Sequence, residues 1–220
     1  MPTLRFEKEL WGRGLPRVVG VDEVGMAALA GPVVAAACLV MPDTKLIRAV
    51  KDSKMLSRQQ REELVSLIRE RVVRVGIGAA SVAEIHRLNI YHASHVAMTR
   101  ALRQIGEYDW VLVDGRRILD PAFAPGRHSE IVKGDTKSFA IAAASIIAKV
   151  TRDRLMSSLS QKYPGYGWEH NAGYPTIDHR QALRDRGLTP LHRHDFGTVR
   201  LLRAVENQLA LALADVPAAP

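Results

Sequence analysis

The order of apolar and polar positions along the chain predicts strands in the first part and helices in the later part. The five predicted strands are apolar or alternating runs bounded by turn-forming residues, and they cover 18–24, 32–40, 71–80, 109–113 and 130–133. Continuous apolar runs such as those within 17–40 are typical of strands that a sheet buries on both faces. The first two strands, joined by a Gly/Ala-rich connection, are therefore the expected centre of the fold.

Helical periodicity and capping signals predict the helices. Ser57 with Gln60, and Ser81 with Glu84, each match the capping-box pattern that begins a helix. The predicted helices are one after Ser57, a short one after Ser81, and others over 89–105, 138–161, 175–186 and 198–213. Residues 163–174 are rich in glycine and aromatic side chains, and they are predicted to form an ordered loop.

This order of elements predicts an α/β fold, a mixed five-stranded sheet flanked by helices with a helical C-terminal extension. The sequence has no internal repeat and no break in composition that would mark a linker. We therefore expect one domain over residues 1–220, with a core over about 17–160 and the extension over about 161–213. The Ala/Pro-rich tail, 214–220, is expected to be disordered.

Acidic residues lie where three of the predicted strands end. Asp22 and Glu23 close the first strand, Asp114 follows the fourth, and Asp135 follows the fifth. If these strands are neighbours, the side chains meet at one edge of the sheet, where sites in α/β proteins form. Adjacent residues of a regular strand point to opposite faces, so Asp22 and Glu23 share a site only if the chain bends or their roles differ. The alternative is that each acid is a turn or cap residue.

Grouped carboxylates must share protons or bind a cation, because they cannot all stay ionised and unpaired. Oxygen ligands suit Mg²⁺ or Mn²⁺, and two such ions about 3.5–4 Å apart can hold the attacking and leaving oxygens of phosphoryl transfer. The chain as a whole is basic, with 31 Lys and Arg against 23 Asp and Glu, a net charge of +8. A basic protein with an acidic pocket has the charge distribution expected of a nuclease.

Several functional classes find no support in the sequence. No apolar run nears the roughly 20 residues that span a bilayer, and the N-terminal residues show no signal-peptide core. Cys38, the single cysteine, excludes an internal disulfide and suits a reducing cytoplasm. The His192-Arg193-His194 segment is a weak zinc signal and is better interpreted as a phosphate contact or a helix cap. Glu169-His170 is a further candidate for assisting catalysis.

Seven motifs stand in the order and spacing of bacterial ribonuclease HII, and the chain resembles that family over about 18–199. The motifs are GVDEVG at 20–25, LAGPVV at 29–34, Asp52-Ser53-Lys54, Asp114-Gly115, Lys133-Gly134-Asp135, AASIIAKVTRD at 143–153 and Gly173-Tyr174-Pro175-Thr176. The resemblance implies a ribonuclease H-like fold. It also implies endonucleolytic cleavage of the RNA strand of RNA–DNA hybrids and cleavage at ribonucleotides embedded in duplex DNA, with 5′-phosphate and 3′-hydroxyl products.

The resemblance also implies residue roles, position by position. The acids implied to hold two divalent ions, Mg²⁺ or Mn²⁺, are Asp22, Glu23, Asp114 and Asp135. The implied phosphate contacts are Ser53, Lys54, Thr136 and Lys149. Tyr174 resembles the tyrosine that stacks under the sugar beside the ribonucleotide, with a packed core aromatic as the alternative. The missing signal core and the single cysteine predict a cytoplasmic enzyme, the lack of a long apolar run predicts that it has no membrane partner, and we expect a monomer.

One motif departs from the family pattern. The chain has Gly25-Met26-Ala27 where the family usually has Gly-Arg-Gly, whose backbone and arginine help to recognise the 2′-hydroxyl at the RNA–DNA junction. The 2′-hydroxyl distinguishes RNA from DNA, so we expect single-ribonucleotide recognition to be weaker or different while metal chemistry is retained. Two other functions stay open: a branched-DNA nuclease of the same fold, and a hybrid-binding protein without catalysis.

Overall fold

Five strands form one mixed sheet in the computed structural model, which describes residues 1–51, 53–115, 118, 123–197 and 199–201. The strands are β1 (Val18–Val24), β2 (Val33–Val40), β3 (Arg74–Ala80), β4 (Trp110–Asp114) and β5 (His128–Ile131). They lie in the order β3-β2-β1-β4-β5. The β1–β2 and β2–β3 pairs are antiparallel, and the β1–β4 and β4–β5 pairs are parallel. The predicted mixed five-stranded sheet is confirmed.

Helices cover the sheet and extend beyond it at the C-terminal side. They are α1 (Arg5–Gly12), α2 (Arg58–Arg71), α3 (Val82–Ile105), α4 (Phe139–Lys162), α5 (Trp168–Asn171) and α6 (Ile177–Arg186), with 3₁₀ turns at Ser53–Met55 and Gly134–Thr136. No helix in the described ranges is long and apolar enough to span a bilayer.

The capping signals identified the helix starts correctly. Both capping boxes are formed, at Ser57 for α2 and at Ser81 for α3. Non-helical backbone at Asn89 (φ 65°) interrupts α3 at the predicted boundary between a short and a longer helix. Strand β3 begins at Arg74 rather than at residue 71, because α2 continues to that point. The sequence pattern missed α1, and α5 lies within the segment predicted to be a loop.

Two apolar layers hold the sheet. Residues of β1 and β2 that face α4, among them Val18 and Cys38, pack with its alanines and isoleucines. Alternate residues such as Val19 and Val21 face α3 on the other side. Helix α4 approaches β1 so closely that a Cβ added at Gly20 would collide with its backbone. This contact fixes the height of α4 over the strand ends where the acids lie.

The N-terminal helix secures the start of α4. The Glu7 side chain is fully buried, and its Oε1 accepts hydrogen bonds from Ser138 Oγ at 2.7 Å and Ala140 N at 2.9 Å. Ser138 is the N-cap residue of α4, so the carboxyl of Glu7 caps this helix from a distant part of the chain. Most of the helix predicted over 198–213, and the whole tail 214–220, lie outside the described residues.

Candidate active site

A cavity of about 500 Å³ opens at the end of β1 and β4. Its lining residues are Asp22, Glu23, Val24, Gly25, Met26, Ala27, Ser53, Asp114, Asp135, Ser145, Lys149 and Tyr174. All four acids named from the sequence line this cavity. So do most of the residues expected to contact the substrate, namely Gly25, Met26, Ala27, Ser53, Lys149 and Tyr174. Thr136 is not, since it lines a neighbouring depression with Lys51 and Met55. Asp52 and the side chain of Lys54 lie outside the described part of the chain.

Strand pairing brings the acids together. In the parallel register of β1 and β4, Val21 is opposite Val113, so Asp22 and Asp114 follow at neighbouring strand ends. Asp135 sits in the 3₁₀ turn that follows β5, and Gly134 in the same turn donates its N–H to Asp114 Oδ1 at 2.6 Å. The three acidic segments thus arrive at one edge of the sheet because their strands are adjacent.

Asp22 and Glu23 both line the cavity although β1 does not bend between them. Both pair with β2, opposite Ala36 and Ala35, and the Glu23 N–H donates to Asp22 Oδ1 at 2.8 Å. The chain turns only at Gly25, where φ is 99°. Asp22 is buried and Glu23 is half-buried, so the two carboxylates have different environments.

The electrostatics of the cavity favour a bound cation. Burial raises the pKa of Asp22 well above its usual value, and the nearby charges of Glu23, Asp114 and Asp135 raise it further, while a hydrogen bond with Ser145 lowers it. A divalent cation would offset this repulsion, and the all-oxygen donor set fits Mg²⁺ or Mn²⁺. Among the described residues, no three acidic, His or Cys side chains are already grouped to hold an ion.

Serine hydroxyls support Asp22 from α4 and from the 53–55 turn. Ser145 on α4 hydrogen-bonds Asp22, and its Oγ lies 3.0 Å from the buried Ser53 Oγ. Arg61 holds the turn by donating to the carbonyls of Ser53 at 3.0 Å and Leu56 at 2.6 Å. The structure thus places Ser53 beside the acids, with its hydroxyl bonded to another protein group.

Lys149 and Tyr174 supply a cation and an aromatic ring to the cavity. The Lys149 ammonium lies 5.4 Å from the centroid of the Tyr174 ring and pairs with Asp153 at 2.7 Å. The guanidinium carbon of Arg152 lies 5.4 Å from the same centroid. Both cations therefore lie close to the half-buried ring, a position compatible with either a stacking or a packing role.

Two buried arginines hold the loop that contains the unusual Gly25-Met26-Ala27 motif. Arg193 donates from Nη1 to the carbonyls of Gly25 at 2.6 Å and Met26 at 3.2 Å, and from Nε to Gly31 at 2.9 Å. Burial lowers the pKa of Arg193 to about 9, with the charge of Arg152 the next cause, and the group remains charged at neutral pH. The Met26 side chain is half-buried against the apolar layer under α3, while Ala27 is exposed.

Arg152 continues this support from α4. It donates to the carbonyls of Ala30 and Pro32 at 2.9 Å and of Ala172 at 2.8 Å. Both arginines are completely buried. Carbonyls that lack sheet partners need hydrogen-bond donors. The sequence does not show which side chains supply these donors, because the two arginines reach the carbonyls only in the folded chain, and their role was therefore not predicted.

The histidine segments have positions different from those predicted. His192 and Arg193 are buried, so interpreting 192–194 as a phosphate contact is wrong for these two residues. His192 instead hydrogen-bonds His179, with their Nε2 atoms 3.2 Å apart. Glu169 and His170 do not line the cavity, and the His170 side chain is 86% exposed.

Comparison with known proteins agrees with this geometry. The sequence model of the family described as Ribonuclease HII matches residues 19–199. Ribonuclease HII of Thermosynechococcus vestitus is 49% identical over 194 residues, 88% of this chain and 90% of that protein. The protein of the same name from a Synechococcus species is 49% identical over 208 residues, 93% of this chain and 92% of that protein. The crystal structure of ribonuclease H2 from Pyrococcus horikoshii matches with a TM-score of 0.72 at 27% identity, covering 87% of this chain and 99% of that one. From its sequence, its sheet and the cavity at its strand ends, the chain belongs to the ribonuclease HII family.

Proposed function

We propose that this protein is an endoribonuclease that cleaves the RNA strand of RNA–DNA hybrids and cuts at ribonucleotides embedded in duplex DNA. The reaction is metal-dependent hydrolysis that leaves 5′-phosphate and 3′-hydroxyl ends. Membership of the ribonuclease HII family supports the reaction class. The observation that carries the proposal is the cavity at the strand ends, where carboxylates from β1, β4 and the turn after β5 meet Lys149 and Tyr174.

The proposed metal ligands are the four acids of the cavity: Asp22, Glu23, Asp114 and Asp135. When bound, two Mg²⁺ or Mn²⁺ ions would supply the positive charge that activates a water and stabilises the departing 3′-oxygen. The protein orients the ligand oxygens: Ser145 hydrogen-bonds Asp22, and the Gly134 N–H holds Asp114 Oδ1 at 2.6 Å. These hydrogen bonds restrict the orientation of the two carboxylates before an ion binds, so the carboxylates have to rearrange less on binding.

The proposed substrate contacts surround these acids. Lys149 offers a cation to a phosphate, and Tyr174 offers a ring to the sugar beside the scissile bond. Ser53 and Thr136 are weaker candidates, because their hydroxyls already bond Ser145 Oγ at 3.0 Å and the Lys133 carbonyl at 2.8 Å. Lys54 stays a proposed phosphate contact from the sequence pattern.

Junction recognition is the part of the function that the Gly25-Met26-Ala27 motif changes. The family's arginine would offer five N–H donors here, whereas Met26 offers a thioether that packs against the apolar layer under α3. We therefore expect cleavage at a single embedded ribonucleotide to be less efficient than cleavage of a long hybrid.

A cleavage panel tests the proposal. The substrates are a long RNA–DNA hybrid, a DNA duplex with one ribonucleotide and an all-DNA duplex, each with Mg²⁺, Mn²⁺ or EDTA. We expect metal-dependent cleavage of the hybrid, slower cleavage of the single-ribonucleotide duplex and none of the all-DNA duplex. Met26→Arg is the matched variant, and it should raise kcat/KM for the single ribonucleotide relative to the hybrid. Equal, high efficiency of the unaltered protein on both substrates would contradict the specificity change.

The same panel separates the two rival functions. Cleavage of a branched duplex that contains no RNA would favour a branched-DNA nuclease, and hybrid binding without cleavage under any metal would favour a non-catalytic protein. The proposal also includes a cytoplasmic location and a monomeric state. Light scattering of the purified protein would check the monomeric state. The single cysteine, Cys38, agrees with a reducing compartment: it is buried in β2, and burial raises the pKa of its thiol to about 12.

A further inference from the structure

A chain of buried hydrogen bonds runs through the C-terminal extension beneath Tyr174. Trp168, His179 and His192 are all fully buried. The indole N–H of Trp168 lies 3.1 Å from His179 Nε2, and His192 Nε2 lies 3.2 Å from the same atom. His179 Nδ1 lies 2.9 Å from the carbonyl oxygen of Tyr174. This series of hydrogen bonds thus ends on the backbone of Tyr174, the residue proposed to contact the substrate sugar.

The partners determine which nitrogen of each histidine carries a proton. A carbonyl only accepts, so His179 Nδ1 must donate to Tyr174, and His179 Nε2 must then accept from both Trp168 and His192. His192 Nδ1 accepts from the Thr189 N–H at 2.9 Å, which leaves its Nε2 as the donor. Burial lowers the pKa of both histidines, that of His192 to about 3. Both rings are therefore neutral at physiological pH, as this arrangement requires.

The histidine pair also connects to the loop that carries the Gly25-Met26-Ala27 motif. His192 forms an antiparallel bridge with Ala30. Leu29, the preceding residue, donates its N–H to Gly173 at 2.8 Å and accepts from the Arg193 N–H at 2.8 Å. One buried unit therefore touches both the Tyr174 backbone and the loop whose Gly25-Met26-Ala27 motif lines the same cavity as Tyr174.

We propose that His179 is a positioning residue. Its hydrogen bond to the Tyr174 carbonyl fixes the Tyr174 ring relative to the loop with the Gly25-Met26-Ala27 motif, so that the ring meets the sugar beside the scissile bond. This inference rests on the proposed function, because it assumes that Tyr174 contacts the substrate. The Tyr174 carbonyl also accepts from the Thr176 N–H at 2.8 Å, so His179 supplies the second of two anchors. Losing it should displace the ring without unfolding the loop.

Two substitutions divide the two hydrogen-bonding ends of the imidazole. His179→Gln places an oxygen near the Nε2 position, so it can still accept from Trp168, but it loses the donor to Tyr174. His179→Asn keeps an N–H near the Nδ1 position, but it leaves the buried donors of Trp168 and His192 without their acceptor. We therefore expect a crossover, in which the glutamine variant loses activity and the asparagine variant loses thermal stability. A purely structural histidine would lose both properties together.

The experiment is a double-mutant cycle on kcat/KM for the hybrid and the single-ribonucleotide duplex. His179→Gln should lower kcat/KM by about five- to tenfold, the rate equivalent of one lost hydrogen bond. Tyr174→Ala should lower it by at least about tenfold, the scale of a lost aromatic stacking contact. In the Tyr174→Ala background, His179→Gln should cost nothing further. His170→Asn, a change at an exposed histidine of the same extension, should leave all values unchanged.

Three results would overturn the inference. They are full activity of His179→Gln, an equal loss from it in the Tyr174→Ala background, and an asparagine variant that folds but is as impaired as Tyr174→Ala. If the glutamine variant does not fold, the asparagine variant decides alone by the last criterion. Cleavage by the unaltered protein is measured first, because its absence refutes the proposed function separately. In that case the same cycle is run on the Kd for the hybrid, with the same expected pattern.

Discussion

Glu7 offers a direct test of how the long central helix is held over the active site. Its buried Oε1 accepts from the Ser138 hydroxyl at 2.7 Å and from the Ala140 N–H at 2.9 Å. Glu7→Ala removes both bonds and leaves the Ala140 N–H buried without that acceptor. One lost hydrogen bond costs about 1 kcal/mol, and an unsatisfied buried donor adds about 1–3 kcal/mol. We expect the free energy of unfolding to fall by about 2–4 kcal/mol.

Urea unfolding of the full chain measures this change. Glu9→Ala is the matched control, because Glu9 is an exposed residue of the same helix and surface substitutions usually stay within about 0.5 kcal/mol. A Glu7→Ala protein within about 1 kcal/mol of the unaltered one would refute the capping role. Activity per folded molecule should change little, since α1 does not line the cavity.

The pH dependence of the Glu7→Gln variant checks the same reasoning. The N-terminus of α4 favours a negative charge, but burial opposes it more strongly and raises the pKa of Glu7. The folded protein therefore binds this proton more tightly than the unfolded chain, so the contribution of Glu7 to stability falls as pH rises above 4.5 through the folded pKa. Glutamine cannot ionise. The stability of the variant relative to the unaltered protein should thus increase from pH 4 to pH 8, and a decrease would contradict the raised pKa.

Three further outcomes are expected. Gly20→Ala should lower the free energy of unfolding in urea by about 3 kcal/mol or prevent folding, because the new Cβ would collide with the Ala140 backbone. Arg100 lowers the pKa of Glu84 to about 2, so Glu84→Gln should cost about 0.5 kcal/mol at pH 7 after solvent screening. That difference should disappear as pH falls from 4.5 through 2, and a constant difference would contradict it. Asp114→Asn should abolish hybrid cleavage and retain salt-sensitive hybrid binding; turnover by this variant would remove Asp114 from the mechanism.

Local signals explain why much of the fold could be predicted from the sequence. The apolar run over 18–24 coincides with β1, and the capping boxes at Ser57 and Ser81 mark the starts of α2 and α3. Each of these features depends on neighbours within a few residues. The strand-end acids could be proposed as a site for the same reason, since the end of an apolar run is visible locally.

Long-range contacts explain what the sequence pattern missed. Helix α1 has only eight residues and no capping side chain at Leu4, and it is held by the hydrogen bond that the Ser138 hydroxyl, 131 positions away, donates to Glu7. The burial of Arg193 depends on the carbonyls of Gly25 and Gly31, which lie 168 and 162 positions earlier in the sequence. An arginine in a basic loop resembles a phosphate contact until the fold shows which oxygens it faces.

The arginine under the unusual motif has a stereochemical consequence for the groups that face the cavity. None of the described peptide bonds is cis, and a trans peptide points its N–H away from its carbonyl oxygen. Because Arg193 draws the Gly25 and Met26 oxygens inward, the amide hydrogens of Met26 and Ala27 point in the opposite direction, away from Arg193. The main chain can therefore still offer hydroxyl-binding donors where the family's guanidinium is missing. The preference for a ribonucleotide over a deoxyribonucleotide should therefore change less when Met26 is replaced by another apolar residue than when Arg193 is replaced.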